Sequence, residues 1–563
     1  MRLTRFVLQL LISVFLTGTL YAQTCPTGYV LSSGVCVQTT PALAPNATFT
    51  ATGTGAVART VASKLSDVVN VKDFGAVGDG SSHPLSGIYS TLASAQSVYP
   101  FVTALTQQVD FAAVQVGINI LKARGGGTLY LPTGVYLMGA DGLSYNQSSI
   151  VFATLKIVGD GMWSSSLSFS ASATTIGLDI CGTYRTTLAD FQMTGSAGVA
   201  LAMCRYGTSG SGQHQLSQFA VYGAWSQVGV YGIAVEETDM NHVYFRNSAN
   251  APTAYFGTAN DLGVTFVNGT PVASTSVQNR VHSGSYIINS NAGASARGIV
   301  FSGPCNACSI DHSYISTTMA GVFETGVADA YTVSANLIGN ELECAQTTEP
   351  AILFGNTRII SLRVADNIIA KLAGGTFPDI YQLDQTGNGE IQQSTFENNA
   401  YQINPSFYTA IAVRFLDNSN AAAAVHIRHT GFQNIYATTP IVDGGGSNTV
   451  SYPEATIVPI STANGGCGVS LAATGPGIVR QGSSGANCTV SGLTILEMNT
   501  TRAGARYSVA GTPLPACAAG TLLYQLPVSD ATSDTQGTTY AGGGAITIQV
   551  QCVFNTAYKW IID

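Results

Sequence analysis

Charge is what this chain has least of: Asp, Glu, Lys and Arg together make up 9% of its 563 residues, against roughly 25% in ordinary domains. Helix-favouring Lys and Glu are correspondingly scarce, which argues against a helical protein. A formal net charge of −8 excludes nucleic acid as a partner, because nothing would neutralise its phosphates. No run reaches the ~20 apolar residues that a membrane-spanning helix needs. Cys305-x-x-Cys308 has no second CxxC beside it, so a zinc or redox reading is set aside. No metal or cofactor is expected, and no serine-hydrolase elbow is visible.

What remains is a chain of Gly, Ser, Thr, Asn and short apolar runs, a composition that suits an all-β protein with many turns. Its first residues have the form of an export signal. Arg2 and Arg5 precede an apolar stretch from Phe6 to Leu16, broken only by Gln9 and Ser13, and Ala22 offers a small residue before the cut. The expectation is a secreted, extracellular or periplasmic protein, with no membrane contact once residues 1–22 are removed. Eleven cysteines in the remainder fit an oxidising compartment. Expected bonds are Cys25–Cys36, Cys181–Cys204, Cys467–Cys488 and Cys517–Cys552. Among Cys305, Cys308 and Cys344 one is left over, and the sequence does not say which.

From Val69 to Gly80 the chain reads VNVKDFGAVGDG; DFAAVQ follows at 110–115, and GGGTLYLPTGVY at 125–136. This pattern resembles the opening of the pectate-lyase-superfamily β-helix found in phage tailspikes, polygalacturonase relatives and exopolysaccharide-degrading proteins. The resemblance implies an all-β, right-handed, single-stranded parallel β-helix with an N-terminal capping helix. It also implies a polysaccharide partner. It supplies no catalytic residues, and the paired aspartates and Gly-His-Gly of polygalacturonases are missing. Apolar residues at helical spacing from Phe111 to Leu121 predict the capping helix. The organisation expected is a signal over 1–22, a Cys loop and linker over 23–66, the β-helix over 67–454 and a small disulfide-containing β domain over 455–563.

A repeat supports this independently of the motif. Phe191, Phe219, Val243, Ile287, Ile315, Ile338, Ile368, Phe396 and Phe432 recur mostly at 23 to 30 residues, with a gap of 44 before Ile287. That is the length of one coil. The gap suggests an extra or irregular coil around Val264 to Phe266. Two residues before most of these anchors stands a small polar residue, among them Ser285, Ser313, Asn336 and Asp366. Stacked, these predict a buried polar ladder at one bend.

Short apolar runs follow the anchors, and the residue after each run should point outward. That position gives Glu236, Ser302, Glu324, Gly355, Asp384, Arg414 and Asp443, a column rich in acids for so acid-poor a chain. Glu324 and Asp384, two coils apart, would lie roughly 9.6 Å from each other across Gly355. Carboxyl groups roughly 6.5–9.5 Å apart suit inverting glycoside hydrolysis. The expected catalytic pair is thus Glu324 and Asp384, with Glu236, Tyr381, Arg414 and Asp443 holding substrate. A hydrolase is expected before a lyase, and the rival is a glycan-binding or surface-structural protein without catalysis. Ser309-Ile-Asp-His-Ser313 resembles a short pattern of pectate lyases that also directs attention to Glu324. Self-association is left open.

Overall fold

The computed structural model describes residues 29–32, 35–38, 47–146, 154–173, 175–207, 210–267, 269–325, 332–344, 349–355, 358–371, 380–382, 390–401, 409–415, 425–430, 437–443, 449–451, 525–531, 539, 546–554 and 558–562. Residues 1–68 form one compact unit and residues 69–563 another. Within the first, Tyr29–Ser32 pairs antiparallel with Val35–Gln38, and Thr48–Phe49 with Arg59–Thr60. The short helix Val61–Leu65 begins at Thr60, whose hydroxyl accepts from the Ser63 N–H.

In the larger unit the expected helix runs from Val109 to Arg124, after the short helix Leu92–Gln96. Its apolar side, including Val114, Ile118 and Leu121, belongs to the same core as Leu129, Leu131 and Tyr136 of the first strands. Gly125 ends it at φ 77°, in the left-handed region that glycine tolerates. Asp110, in the first turn, is buried. Its carboxylate accepts the N–H groups of Val77 (2.6 Å), Gly78 (3.2 Å) and Leu137 (2.9 Å). One side chain therefore ties the helix to the first part of the opening motif and to the residue that follows its last part. Gly78 has no room for a Cβ, which would lie 2.7 Å from the Tyr136 ring.

Beyond Gly126 the chain winds as a right-handed parallel β-helix with three sheets. The first sheet runs through Thr187, Gln215, Asp239, Arg280, Ser309, Asn336, Arg363, Thr395 and Arg428 in continuous parallel register. The second runs through Ala220, Tyr244, Tyr286, Tyr314, Glu341, Ile368 and Ala400. The third runs through Ile299, Val322, Ile352 and Ile380. Among the described residues the core is largely apolar; Phe191, Phe219 and Phe245 stack with ring centroids 4.9 and 6.2 Å apart. Strands Gln525–Ala531, Ile546–Phe554 and Tyr558–Ile562 form a separate antiparallel sheet.

A polar ladder exists, but partly at other residues than the spacing suggested. Ser285, Ser313, Asn340, Asn367 and Asn399 are buried at one bend. The Asn340 Oδ1 accepts from the Ser313 N–H at 3.0 Å, and its Nδ2 donates to Ile310 O and Asn367 Oδ1. Asn367 repeats this with Leu337 O and Asn399. Asn336 instead lies within the strand Thr332–Ile338 and is only half-buried. The spacing joined residues of different columns: Ile338 and Phe396 lie in the first sheet, and Phe432 lies outside the described residues. Leu342 holds the register position of Ile315, while Ile369 is buried and Ile368 is 37% exposed. The same bend is filled by Phe191, Phe219 and Val243 in the earlier coils, so the column changes from apolar to polar at Ser285. Just before it the backbone turns through the left-handed region, at Asp190, Gln218, His242, Gly284, His312, Gly339, Asp366 and Asn398.

The gap of 44 is not an extra coil. Residues 258–267 and 269–275 form no strand, and Leu262, Val264 and Phe266 pack on Tyr206, Tyr231 and Tyr255 outside the third sheet. Cys181 and Cys204 are bonded across neighbouring coils as expected. Cys305 and Cys308 are bonded to each other in the interior, which resolves the pairing the sequence left open. Cys552 is disulfide-bonded; Cys25, Cys467, Cys488 and Cys517 lie outside the described residues.

His214 is fully buried, with Nε2 2.9 Å from Ser211 Oγ. Burial disfavours the imidazolium and pushes its pKa down from the usual 6.5 to about 3. Below pH 6.5 the unfolded chain binds a proton that the folded one refuses. Stability is therefore expected to fall between pH 6.5 and about 3, by up to about 1.4 kcal/mol per pH unit from this residue. Urea midpoints measured from pH 7 to 4 should show a shallower slope in His214→Gln; equal slopes would contradict this.

Candidate functional site

Among the described residues the expected column is out of register. Aligning the apolar runs by their ends ignored their lengths. The run after Gly298 has three residues and the run after Gly321 has two, and the coils align at the starts. Val322 thus pairs with Ile299 and Phe323 with Val300, so Glu324 falls opposite Phe301, not Ser302. On its other side Glu324 pairs with Phe354, not Gly355. Phe301 and Phe354 both belong to the interior core. Ser302 itself is buried and donates to Asp261 at 2.7 Å, beneath the 258–275 segment. Glu236 is half-buried at a different bend, bridging Gly212 and Val277. Tyr381 and Arg414 are neighbours in register, while Asp443 pairs with Phe415. Asp384 lies outside the described residues.

The second sheet presents the more organised surface. Its outward positions at the start of successive strands are Tyr244, Tyr286, Tyr314 and Glu341, one coil step each. The rings follow one another with centroids 6.2 and 5.5 Å apart, close to the ~4.8 Å spacing of the strands that carry them. Trp163, 57% exposed, extends the row by packing edge-on against Tyr244 at 5.2 Å. An open concavity of ≈ 550 Å³ lies there, lined by Trp163, Gln192, Thr194, Tyr222, Tyr244 and Arg246 among others. Arg246 sits 5.3 Å over the Tyr222 ring. In ordinary surfaces large apolar side chains are scattered singly; a contiguous row marks a place of contact.

At the other end of the row stand two carboxylates. Glu341 follows Tyr314 in register and Glu343 follows Ser316. Being two residues apart on one strand, they share a face, with Cα atoms about 6.6 Å apart. Tyr314 donates to Glu343 Oε2 at 2.5 Å. Partial burial and this bond raise the phenol's pKa above its usual 10, so it stays a donor and fixes one carboxylate oxygen. Among the described residues no cluster of three or more His, Cys, Asp or Glu is placed to hold a metal.

Sequence reasoning missed this row, although Ser-Tyr-Ile recurs at 285–287 and 313–315. The coil spacing rests on the isoleucines, whereas strand alternation turns the tyrosines beside them outward.

Three parallel sheets, stacked coil on coil behind an N-terminal helix, decide the architecture. The chain carries a right-handed parallel β-helix. No family model matches it, and no curated protein does. Solved structures to which the chain is similar include a chain from Geobacillus virus E2 (14% identity, TM-score 0.38), with 66% of this chain and 63% of that one covered. The A-module of a mannuronan C-5 epimerase from Azotobacter vinelandii is 15% identical, with 68% of this chain and all of that one covered at TM-score 0.39. The catalytic unit of a GH87 alpha-1,3-glucanase from Streptomyces thermodiastaticus is 14% identical, with 69% and 68% covered at TM-score 0.37. The β-helix assignment stands on the chain's own strand pairing.

Proposed function

We propose that the β-helix is an exported protein that holds an extended polysaccharide along its second sheet and hydrolyses it. The observation that carries this reading is the row Trp163, Tyr244, Tyr286 and Tyr314, leading to Glu341 and Glu343. A pyranose ring has an apolar C–H face and a rim of hydroxyls. Exposed aromatic rings match the face, and the phenol and carboxylate edges match the rim. Rows repeating at the coil spacing suit a repeating polymer better than a compact ligand. The disulfides Cys181–Cys204 and Cys305–Cys308 accord with an oxidising compartment. No helix among the described residues is long and apolar enough to cross a membrane.

Glu341 and Glu343 are the carboxylates placed to act on a chain lying over the row, one as acid and one as base or nucleophile. Glu324 with Asp384 is the second pair to test. On a panel of acidic and neutral polysaccharides, reducing ends without unsaturated sugars would indicate hydrolysis. Both signals together would indicate elimination. Binding with neither would favour the non-catalytic reading. Tyr286→Ala should weaken binding of the polymer about tenfold, the equivalent of ~1.4 kcal/mol, as read by affinity electrophoresis. Unchanged mobility would remove the row from the site.

A further inference from the structure

One coil bends differently from its neighbours. Asn241 pairs with His282, and Val281 with Ile310, so His282 stands level with Asp311. Tyr244, Tyr286 and Tyr314 are also level. Between these marks the adjacent coils have two residues, 242–243 and 312–313, whereas this coil has three, 283–285. The extra residue is Ser283. It adopts φ 57°, and Gly284 after it φ 73°, while the coils on either side turn the same bend with one left-handed residue each. A serine held in that region is uncommon, and such strain tends to gather where function requires it.

The extra residue has a specific partner. Ser283 Oγ lies 2.9 Å from His282 Nδ1, and His282 Nε2 lies 2.5 Å from Asp239 Oδ1 on the preceding coil. A hydrogen bond from Nε2–H to the Asp239 carboxylate leaves Nδ1 unprotonated and ready to accept the Ser283 proton. The order serine, imidazole, carboxylate is the one that activates a hydroxyl, recognised by geometry and not by sequence motif. His282 and Asp239 retain 19% and 47% of their side-chain exposure, so the group is reachable from solvent.

We infer that Ser283, His282 and Asp239 form a second catalytic site, one that hydrolyses carboxylic esters. Ser283 Oγ attacks the ester carbonyl carbon as its proton passes to His282 Nδ1; Asp239 holds the resulting imidazolium. The tetrahedral adduct collapses, the C–O bond to the alcohol breaks, and the departing oxygen takes the proton from Nδ1. Water then adds to the acyl-serine, giving its proton to His282; the C–Oγ bond breaks, Ser283 recovers that proton and a carboxylic acid leaves. Oxidation states do not change. The substrate class, O-acyl groups on a glycan, rests on the polysaccharide reading above: Tyr286, three residues beyond Ser283, is part of the aromatic row.

The test begins with the full chain and a fluorophosphonate probe, with the modified residue located by mass spectrometry. Labelling at Ser283 is expected, together with p-nitrophenyl acetate hydrolysis. Hydrolysis should disappear in Ser283→Gly, a change the left-handed backbone tolerates, and fall roughly 10²–10⁴-fold in His282→Gln. A wild-type protein left unlabelled at Ser283, or full esterase activity in Ser283→Gly, would overturn the site. Release of acetate from an acetylated polysaccharide, lost with Ser283→Gly, would support the substrate class. Labelling and p-nitrophenyl acetate hydrolysis without that release would overturn the class and leave the nucleophile standing. Absence of polymer binding by the unmodified full chain, with labelling at Ser283 intact, would count against the aromatic row alone.

Discussion

Replacing Asn367 with alanine is expected to remove about 3 kcal/mol or more from the unfolding free energy, among the largest effects of any single polar change in the chain. Asn367 is buried in the middle of the ladder. Its Oδ1 accepts from the backbone N–H of Asn340 at 2.9 Å and from the Asn340 side chain at 3.0 Å. Its Nδ2 donates to Leu337 O and to Asn399 Oδ1, each at 2.9 Å. Truncation deprives several buried groups of a partner, and no water reaches a bend this tightly stacked at no cost. Each orphaned polar group is worth roughly 1–3 kcal/mol. Asn336→Ala, in a half-buried strand position, should cost much less. Urea denaturation of the two variants separates them. Equal losses would mean that the ladder contributes nothing special.

The second large effect concerns turnover. On a polysaccharide that the parent cleaves, Glu343→Gln should lower kcat roughly 10²–10⁴-fold, the range for loss of a positioned acid or base. Binding and folding should persist, because glutamine still accepts from Tyr314. Glu341→Gln should do the same if the two act as a pair. If both variants keep full activity while Glu324→Gln or Asp384→Asn loses it, the chemistry belongs to the other pair. Tyr314→Phe offers a finer reading: it removes the donor to Glu343 but keeps the ring, so turnover should fall more than affinity.

The opening motif and the coil repeat made the architecture legible, because both reflect local rules. Asp110 must reach three N–H groups, and coil length sets the spacing of inward residues. Register was less legible, since a strand of period two inverts its faces on a slip of one residue. Ile368 was read as inward when Ile369 is, and Glu324 was placed one position late. The ladder had a signal that spacing alone obscured. Asn340, Asn367 and Asn399 each follow a residue, Gly339, Asp366 or Asn398, of a type that accepts left-handed φ. The Ser283 group could not be foreseen, because Asp239 lies 43 residues before His282 and only the register brings them together.

The change in the corner column at Ser285 has a consequence for how such a chain can vary in length. Before it, Phe191, Phe219 and Val243 fill the corner with side chains that would pack against many neighbours. After it, each amide addresses particular atoms in the coils above and below. A partial insertion there would break the addresses on both sides, whereas duplicating one whole coil, such as the 27 residues from Asn340 to Asp366, would reproduce every donor and acceptor. That half of the molecule should accept growth or shortening only in whole turns, as a spiral staircase gains height by complete steps.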